Sequence, residues 1–460
     1  MQTSKDRTPR APRRGRRLAF ELIGIFAVVV VGAVALNFAI EKTGTLSDVM
    51  WSEYEKCKNE QIDTIVVGSS TAQRSFDPKV IDSNLGSSTF NMATPAQPLE
   101  DSCAMASKAI AEHKVKRVVI GVDYETFSIE NWGQAHVVIA RAKMRNEPFP
   151  AAVVDYFGLL TSRMFFTKSD SIGAIFPGGY SFVEMKPASI VQNIKRKLSG
   201  QSPIETTKEV EPGWFYLGRG YGNFNKEYDY SRAAHELSVP HNGARPFKKS
   251  TLDEMERLCT LCRDNGVELD VVVTPRPAFN VLCYKKDYPQ QMKRLEDMVI
   301  RTGGHFYDFN LAMRSYYDPA QTDYSDAEHL NYEGAKKFSD AFANVVRDRT
   351  AGQDVSSRFY QYDQWEEYCA SIDYISAVKA KVEVQGGNAE VRAIPFTGSA
   401  TQVEYQFLLQ KDNADDFEVA RDWTQDPTFS FPIAGVRKGM VRVRQVGSSE
   451  EYEKYTIFKI

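Results

Sequence analysis

The stretch Ile62–Ser70, IDTIVVGSS, constrains the fold more than any other part of this chain. Ile65, Val66 and Val67 form a short, largely β-branched run that stops at Gly68, Ser69 and Ser70. An apolar run of this length, ended by glycine, reads as a strand buried on both faces, as in the parallel sheet of an α/β domain. Sheets of that kind place their chemistry in the crevice beyond the carboxyl ends of the strands. A serine there is a candidate nucleophile, provided that a base lies within reach. The candidate base lies far along the chain, in Asp326-Ala-Glu-His329-Leu-Asn331.

The pattern around this strand supports an α/β rhythm. Ser88–Met92 reads as a second strand, and Thr94-Pro95-Ala96-Gln97 carries the marks of a helix start. Leu99, Cys103, Ala106 and Ile110 continue with helical spacing towards a third strand at Val118–Val122. The rhythm returns with a helix over Thr251–Asp264, a strand at Val267–Val273, a helix over Gln290–Arg301 and a strand at His305–Phe309. A last helix follows Asn331, with Phe338, Phe342 and Val345 on one face. Five strands alternating with helices predict a three-layer α/β/α domain with a parallel sheet over residues 61–350. Residues 125–249 lack a clear period and read as a partly helical insertion, either a lid or a partner-binding surface.

The flanks differ in character. Residues 1–17 carry seven basic side chains against Asp6 alone, whereas the whole chain has a formal charge of −3, so the remainder is acidic. That balance gives no support for nucleic-acid binding. Leu18–Ile40 is apolar apart from Glu21 and Asn37, which is long enough to span a bilayer. The basic flank predicts a cytoplasmic N-terminus, with the bulk of the chain outside the cytoplasm. A cleaved signal peptide, with Ala33-Val34-Ala35 as a cleavage site, is the rival reading. Residues 41–60 read as a stem, 351–380 as a connector, and 381–460 as a small β-sandwich built of short strands between Gly, Asn and Asp turns.

Six cysteines are few for a disulfide scaffold. Cys259 and Cys262 have metal-like spacing but fall on an apolar helical face, and a disulfide through Cys283 stays open. The histidines are scattered without metal-ligand spacing, so neither metal nor cofactor is expected.

In the chemical reading, His329 takes the Ser70 proton and Asp326, three residues earlier, orients the ring. Gly68, Ser69 and the Asn91 amide are the candidates for oxyanion or substrate contacts. The bland alternatives are a strand-ending turn at GSS and a helix-capping His329, with Asn91 structural. A second GSS, Gly86–Ser88, follows no apolar strand and reads as a loop.

VVGSS after the first strand, FNMA after the second and Asp-x-x-His-Leu-Asn-x-x-Gly over Asp326–Gly334 resemble the SGNH/GDSL hydrolase superfamily. The likeness is greatest to its membrane-anchored branch of DltD-like and polysaccharide O-acetylation proteins. It implies that Ser70, His329 and Asp326 act as nucleophile, base and orienting acid in acyl transfer to a cell-envelope polymer, with a multi-pass acyl transferase as partner. Ester hydrolysis and a non-catalytic assembly role are the alternatives. The chain departs from the family pattern at Ala93 or Thr94, where the second block usually has glycine, and at Gly121-Val122-Asp123-Tyr124, which lacks the third block's asparagine. The C-terminal part resembles, more weakly, the triple-tyrosine β-sandwich of envelope proteins.

Overall fold

The computed structural model describes residues 13–128, 133–161, 183–199, 209–211, 213–229, 246–285 and 287–460. The chain divides into two units, one of residues 1–48 with 133–203 and the other of 49–132 with 204–460.

The larger unit contains the predicted α/β rhythm. Its elements are β1 (Thr64–Gly68), α1 (Ser70–Ser75), α2 (Pro78–Leu85), β2 (Thr89–Asn91), α3 (Leu99–Glu112) and β3 (Arg117–Val122). There follow α4 (Lys249–Asp264), β4 (Glu268–Val273), α5 (Asp287–Arg301), β5 (His305–Asp308) and α6 (Tyr332–Thr350). The five strands form one sheet in the order β2-β1-β3-β4-β5, and every pairing is parallel. Ile65, Val66 and Val67 are fully buried, as the run of β-branched residues requires of a central strand. Helices α3, α4 and α5 pack in sequence as one layer, and α1, α2 and α6 pack together as another. Strand order reverses at β1: the chain moves outward to β2, then returns past β1 to β3. Open sheets of this kind hold their ligands at that switch point, beyond the strands' carboxyl ends. The residues immediately beyond β1 are Ser69 and Ser70.

The last part of this unit holds β6 (Ala377–Gln385), β7 (Asn388–Phe396), β8 (Val403–Lys411), β9 (Glu418–Thr424), β10 (Thr428–Pro432), β11 (Val436–Gln445) and β12 (Lys454–Lys459). They form two antiparallel sheets, β10-β7-β6 and β9-β8-β11-β12. Val391 and Phe431 from the first sheet and Phe407, Val441 and Phe458 from the second share one hydrophobic core. Alternate residues along β7 and β11 turn inward, as the period of two demands. All six cysteines are free, and Cys283, for which a disulfide had stayed open, donates to the Asn280 carbonyl at 3.2 Å.

The smaller unit is helical, with segments Arg13–Ile40, Gly133–Asn146, Phe149–Thr161 and Pro187–Leu198. The last of these caps the first. Asn193 Nδ2 donates to the carbonyls of Ala39 and Glu41 at 2.9 Å, and Lys197 Nζ to Phe38 O at 2.7 Å. These bonds satisfy carbonyls that a helix C-terminus leaves without intrahelical donors. Among the described residues no helix is long and apolar enough to cross a membrane. The anchor expected over 18–40 includes side chains outside the described residues, so the described structure does not carry that expectation. Residues 162–182, 200–208 and 230–245 of the expected insertion also lie outside the described residues.

Candidate functional site

Gly68 shapes the turn that presents the serine. Its φ is +135°, and a Cβ there would stand 2.3 Å from Gly121 O and 2.7 Å from Ala72 Cβ. A side chain at Gly121 would likewise meet Ala72 Cβ at 2.5 Å. The two glycines thus let α1 begin directly against the ends of β1 and β3. Ser70 opens that helix, after Ser69 as its N-cap residue.

The second segment is built by its own motif. Asn331 caps α6, its Oδ1 accepting from Gly334 N at 3.0 Å. Its Nδ2 donates to Thr322 O at 2.6 Å, tying the preceding loop to the helix start. Gly334 lies against Asp323, where a Cβ would come within 2.1 Å of the carbonyl oxygen. Asn331 and Gly334 therefore anchor the loop that carries Asp326 and His329. Asn280 Nδ2, from the short helix Ala278–Leu282 after β4, adds a bond to Ala327 O.

The two segments meet. Ser70 Oγ lies 2.8 Å from His329 Nε2, and His329 Nδ1 lies 2.7 Å from Asp326 Oδ1. The same carboxylate oxygen accepts from the backbone N–H groups of Glu328 and His329, each at 2.9 Å. Its other oxygen takes Arg74 Nη1 at 2.8 Å. Burial pushes the Asp326 carboxyl up, but the bond and charge of His329, and then Arg74, outweigh it and hold the group well below the usual carboxylate range. A group so held is an anion at neutral pH. It fixes the ring with Nδ1 as donor and leaves Nε2 as the acceptor facing the serine hydroxyl.

Asn91 requires a correction. It is fully buried, and Nδ2 is directed to the carbonyls of Phe76, Gln73 and Ala72 at 3.0, 3.3 and 3.5 Å, while Oδ1 accepts from Ala93 N at 3.0 Å. The amide ties the end of α1 to β2 and is not available as an oxyanion donor. Ser69 Oγ lies 3.2 Å from Thr71 Oγ1. Thr71 Oγ1 in turn reaches Asp123 Oδ2 at 3.4 Å. Asp123 stands where the related pattern has asparagine, and it pairs with Arg276 Nη2 at 2.8 Å. Burial pushes its carboxyl up, yet Arg276 and the Thr126 hydrogen bonds bring it below the ordinary range. As a buried anion it is an acceptor and offers the site no donor.

No protein-family profile matches this chain, and no curated protein matches it. Among solved structures it is similar to a Bacteroides fragilis chain provisionally named an acylhydrolase, at 9% identity and a TM-score of 0.29, over 65% of this chain and 94% of that one. It is also similar to a Streptococcus pneumonia chain provisionally named a platelet activating factor, at 8% identity and a TM-score of 0.29, over 64% and 90%. Likeness at this level carries no argument about the chemistry, which rests on the geometry above.

Sequence reasoning missed two contributors. Arg74 lies four residues after Ser70, so on a helix the two share a face, a spacing that could have flagged it. The hairpin Trp214–Gly218/Tyr221–Phe224 belongs to the expected insertion, yet it packs into the sheet domain. Gly220 (φ +77°) sits so close to β2 that a Cβ would meet Asn91 O at 1.9 Å, and Asn91 N donates to Arg219 O at 2.9 Å. Trp214, Tyr216 and Tyr221 are buried, so these aromatics form core. Among the described residues no group of His, Cys, Asp and Glu is arranged to hold a metal ion.

Proposed function

We propose that this chain is a serine-dependent acyl-transfer enzyme of the cell envelope. One observation carries the reading: Ser70, His329 and Asp326 form a continuous hydrogen-bonded relay of 2.8 and 2.7 Å at the switch point of a doubly wound parallel sheet. In this reading Ser70 Oγ attacks an acyl carbonyl as its proton passes to His329, and the acyl-serine is then resolved by a second nucleophile. With Asn91 engaged elsewhere, the backbone N–H groups around Gly68–Ser70 are left as the oxyanion donors.

The acceptor follows from the resemblance to the membrane-anchored SGNH/GDSL branch and from the expected topology: a hydroxyl of an envelope polymer, with a multi-pass acyl transferase supplying the acyl group. The anchor reading rests on the basic segment 1–17, the apolar run 18–40 and the outward-facing apolar side chains of that helix, among them Phe20 (74% exposed) and Val28 (72%). Water in place of a sugar hydroxyl would make the same relay an esterase.

The test uses the purified full-length chain. A serine-reactive phosphonate should label the wild type and leave Ser70→Ala unlabelled. Incubation with an acyl donor and an envelope polysaccharide should place acyl groups on the polymer. Release of free acid alone would assign hydrolysis. Absence of both labelling and turnover would reduce the chain to a binding protein with a hydrolase-like relay.

A further inference from the structure

We propose that Arg74 is a positioning residue of this site, holding Asp326 in its productive orientation, and that the hairpin ending at Phe224 holds Arg74. The inference rests on the acyl-serine reading and adds a component to it.

A carboxylate held through one oxygen can turn about its Cβ–Cγ bond and exchange that oxygen for the other. Asp326 is held through both. Oδ1 receives His329 Nδ1 and two backbone N–H groups, and Oδ2 receives Arg74 Nη1 at 2.8 Å. The carboxylate plane is therefore set by donors on opposite sides, and the imidazole plane follows it. Ser70 and Arg74 stand one turn apart on α1, so the helix touches the Asp326–His329 loop at two points. The carbonyl end of α1 is held by Asn91 and Ser339, and the Arg74–Asp326 pair adds a second tie between the helix and that loop. Ser70 Oγ and His329 Nε2 are thereby kept in line by a closed circuit of four side chains.

Arg74 is in turn supported from the hairpin. Its guanidinium lies 4.7 Å from the centre of the Phe224 ring, and its carbonyl accepts from Asn223 Nδ2 at 2.8 Å. The arginine side chain is only 14% exposed. Reach alone would be met by a lysine, but a planar guanidinium placed over a ring fixes direction as well as charge.

The experiment compares Arg74→Met, Arg74→Lys and, as a control, Arg257→Met on an exposed face of α4, all in the full-length chain. Two quantities are read: the phosphonate-labelling rate across pH, and the low-field NMR signal of the proton between His329 and Asp326. Arg74→Met should slow labelling at neutral pH by about 10- to 100-fold, as small misplacements of reacting groups do. Its acid limb should move to higher pH, because a site that loses a nearby positive charge takes up a proton more readily. Arg74→Lys should return the limb but only part of the rate, and Arg257→Met should change neither. The low-field signal should shift or vanish in Arg74→Met. That signal is readable even if the wild type acylates nothing, so failure of the enzyme reading and failure of this one remain distinct. An unchanged signal and limb in Arg74→Met would overturn the proposal. Equal loss of rate in Met and Lys variants with an unmoved limb would do the same, since that is the behaviour of a packing residue.

Discussion

Asp326→Asn replaces the acid of the relay by an amide of the same shape, and the observed hydrogen bonds predict where the amide must fail. Three donors point at the Oδ1 position, the ring Nδ1–H and two backbone N–H groups. The asparagine carbonyl will occupy that position, because an NH2 there would face all three. Its NH2 then faces Arg74 Nη1 across the former 2.8 Å ion pair, two donors with no acceptor between them. A largely buried charge left this way costs about 3 kcal/mol of stability, more than an unsatisfied neutral donor. The imidazolium that forms as Ser70 loses its proton also loses its counter-charge. For a relay that loses its orienting carboxylate charge a rate loss of about 10⁴ is expected, which is roughly 5.5 kcal/mol of barrier at ~1.4 kcal/mol per tenfold. The assay is the phosphonate-labelling rate at neutral pH, with urea unfolding in parallel to separate folding from chemistry. A folded Asp326→Asn protein that labels within threefold of wild type would refute the assignment of Asp326 as the orienting acid.

Three further outcomes follow from the same geometry. Gly68→Ala must find room for a methyl 2.3 Å from Gly121 O at a φ of +135°, so it should cost about 3 kcal/mol in urea unfolding and slow labelling with it. Asn91→Ala should cost about 2–4 kcal/mol by stranding buried backbone groups, yet leave the labelling rate of the folded protein nearly unchanged; a loss of 100-fold or more would restore it as an oxyanion donor. Asp308 is buried, and burial raises its carboxyl to about 6, against the Tyr288, Tyr362 and Asn310 hydrogen bonds that lower it. A raised folded value favours the protonated form in the native state. Its stabilisation is thus full below about pH 4 and lost as pH rises through 6, a change of about 3 kcal/mol. Asp326, with its value depressed, acts with the opposite sign at lower pH. Unfolding curves between pH 4 and 7 should show the Asp308 component vanish in Asp308→Asn.

The sheet domain was legible because its strands announce themselves locally. Ile65–Val67 and Val118–Val122 are apolar runs ended by Gly or Asp, and Val267–Val273 alternates before its Val271–Val273 run stops at Thr-Pro, patterns that are sufficient to find such elements. The pairing of Ser70 with His329 was legible only through motif order, since nothing local to either residue indicates the other. Asn91 misled for a physical reason: an amide at the end of a strand is equally suited to a reacting oxygen and to the carbonyls of a neighbouring helix, and only coordinates show which it faces. The hairpin at Trp214–Phe224 was missed because its strands are four and five residues long, interrupted by glycine and bonded chiefly to each other.

The contact between Ser70 and His329 spans 259 positions of chain. Contacts of that sequence separation raise the contact order, and the strands between the two loops must be paired in the sheet for the loops to stand in range. A growing or partly assembled chain therefore carries Ser70 without the His329 imidazole that stands beside it in the finished fold. On the acyl-serine reading proposed above, a phosphonate that marks Ser70 would report on completed molecules, and its yield would count how many chains have finished folding.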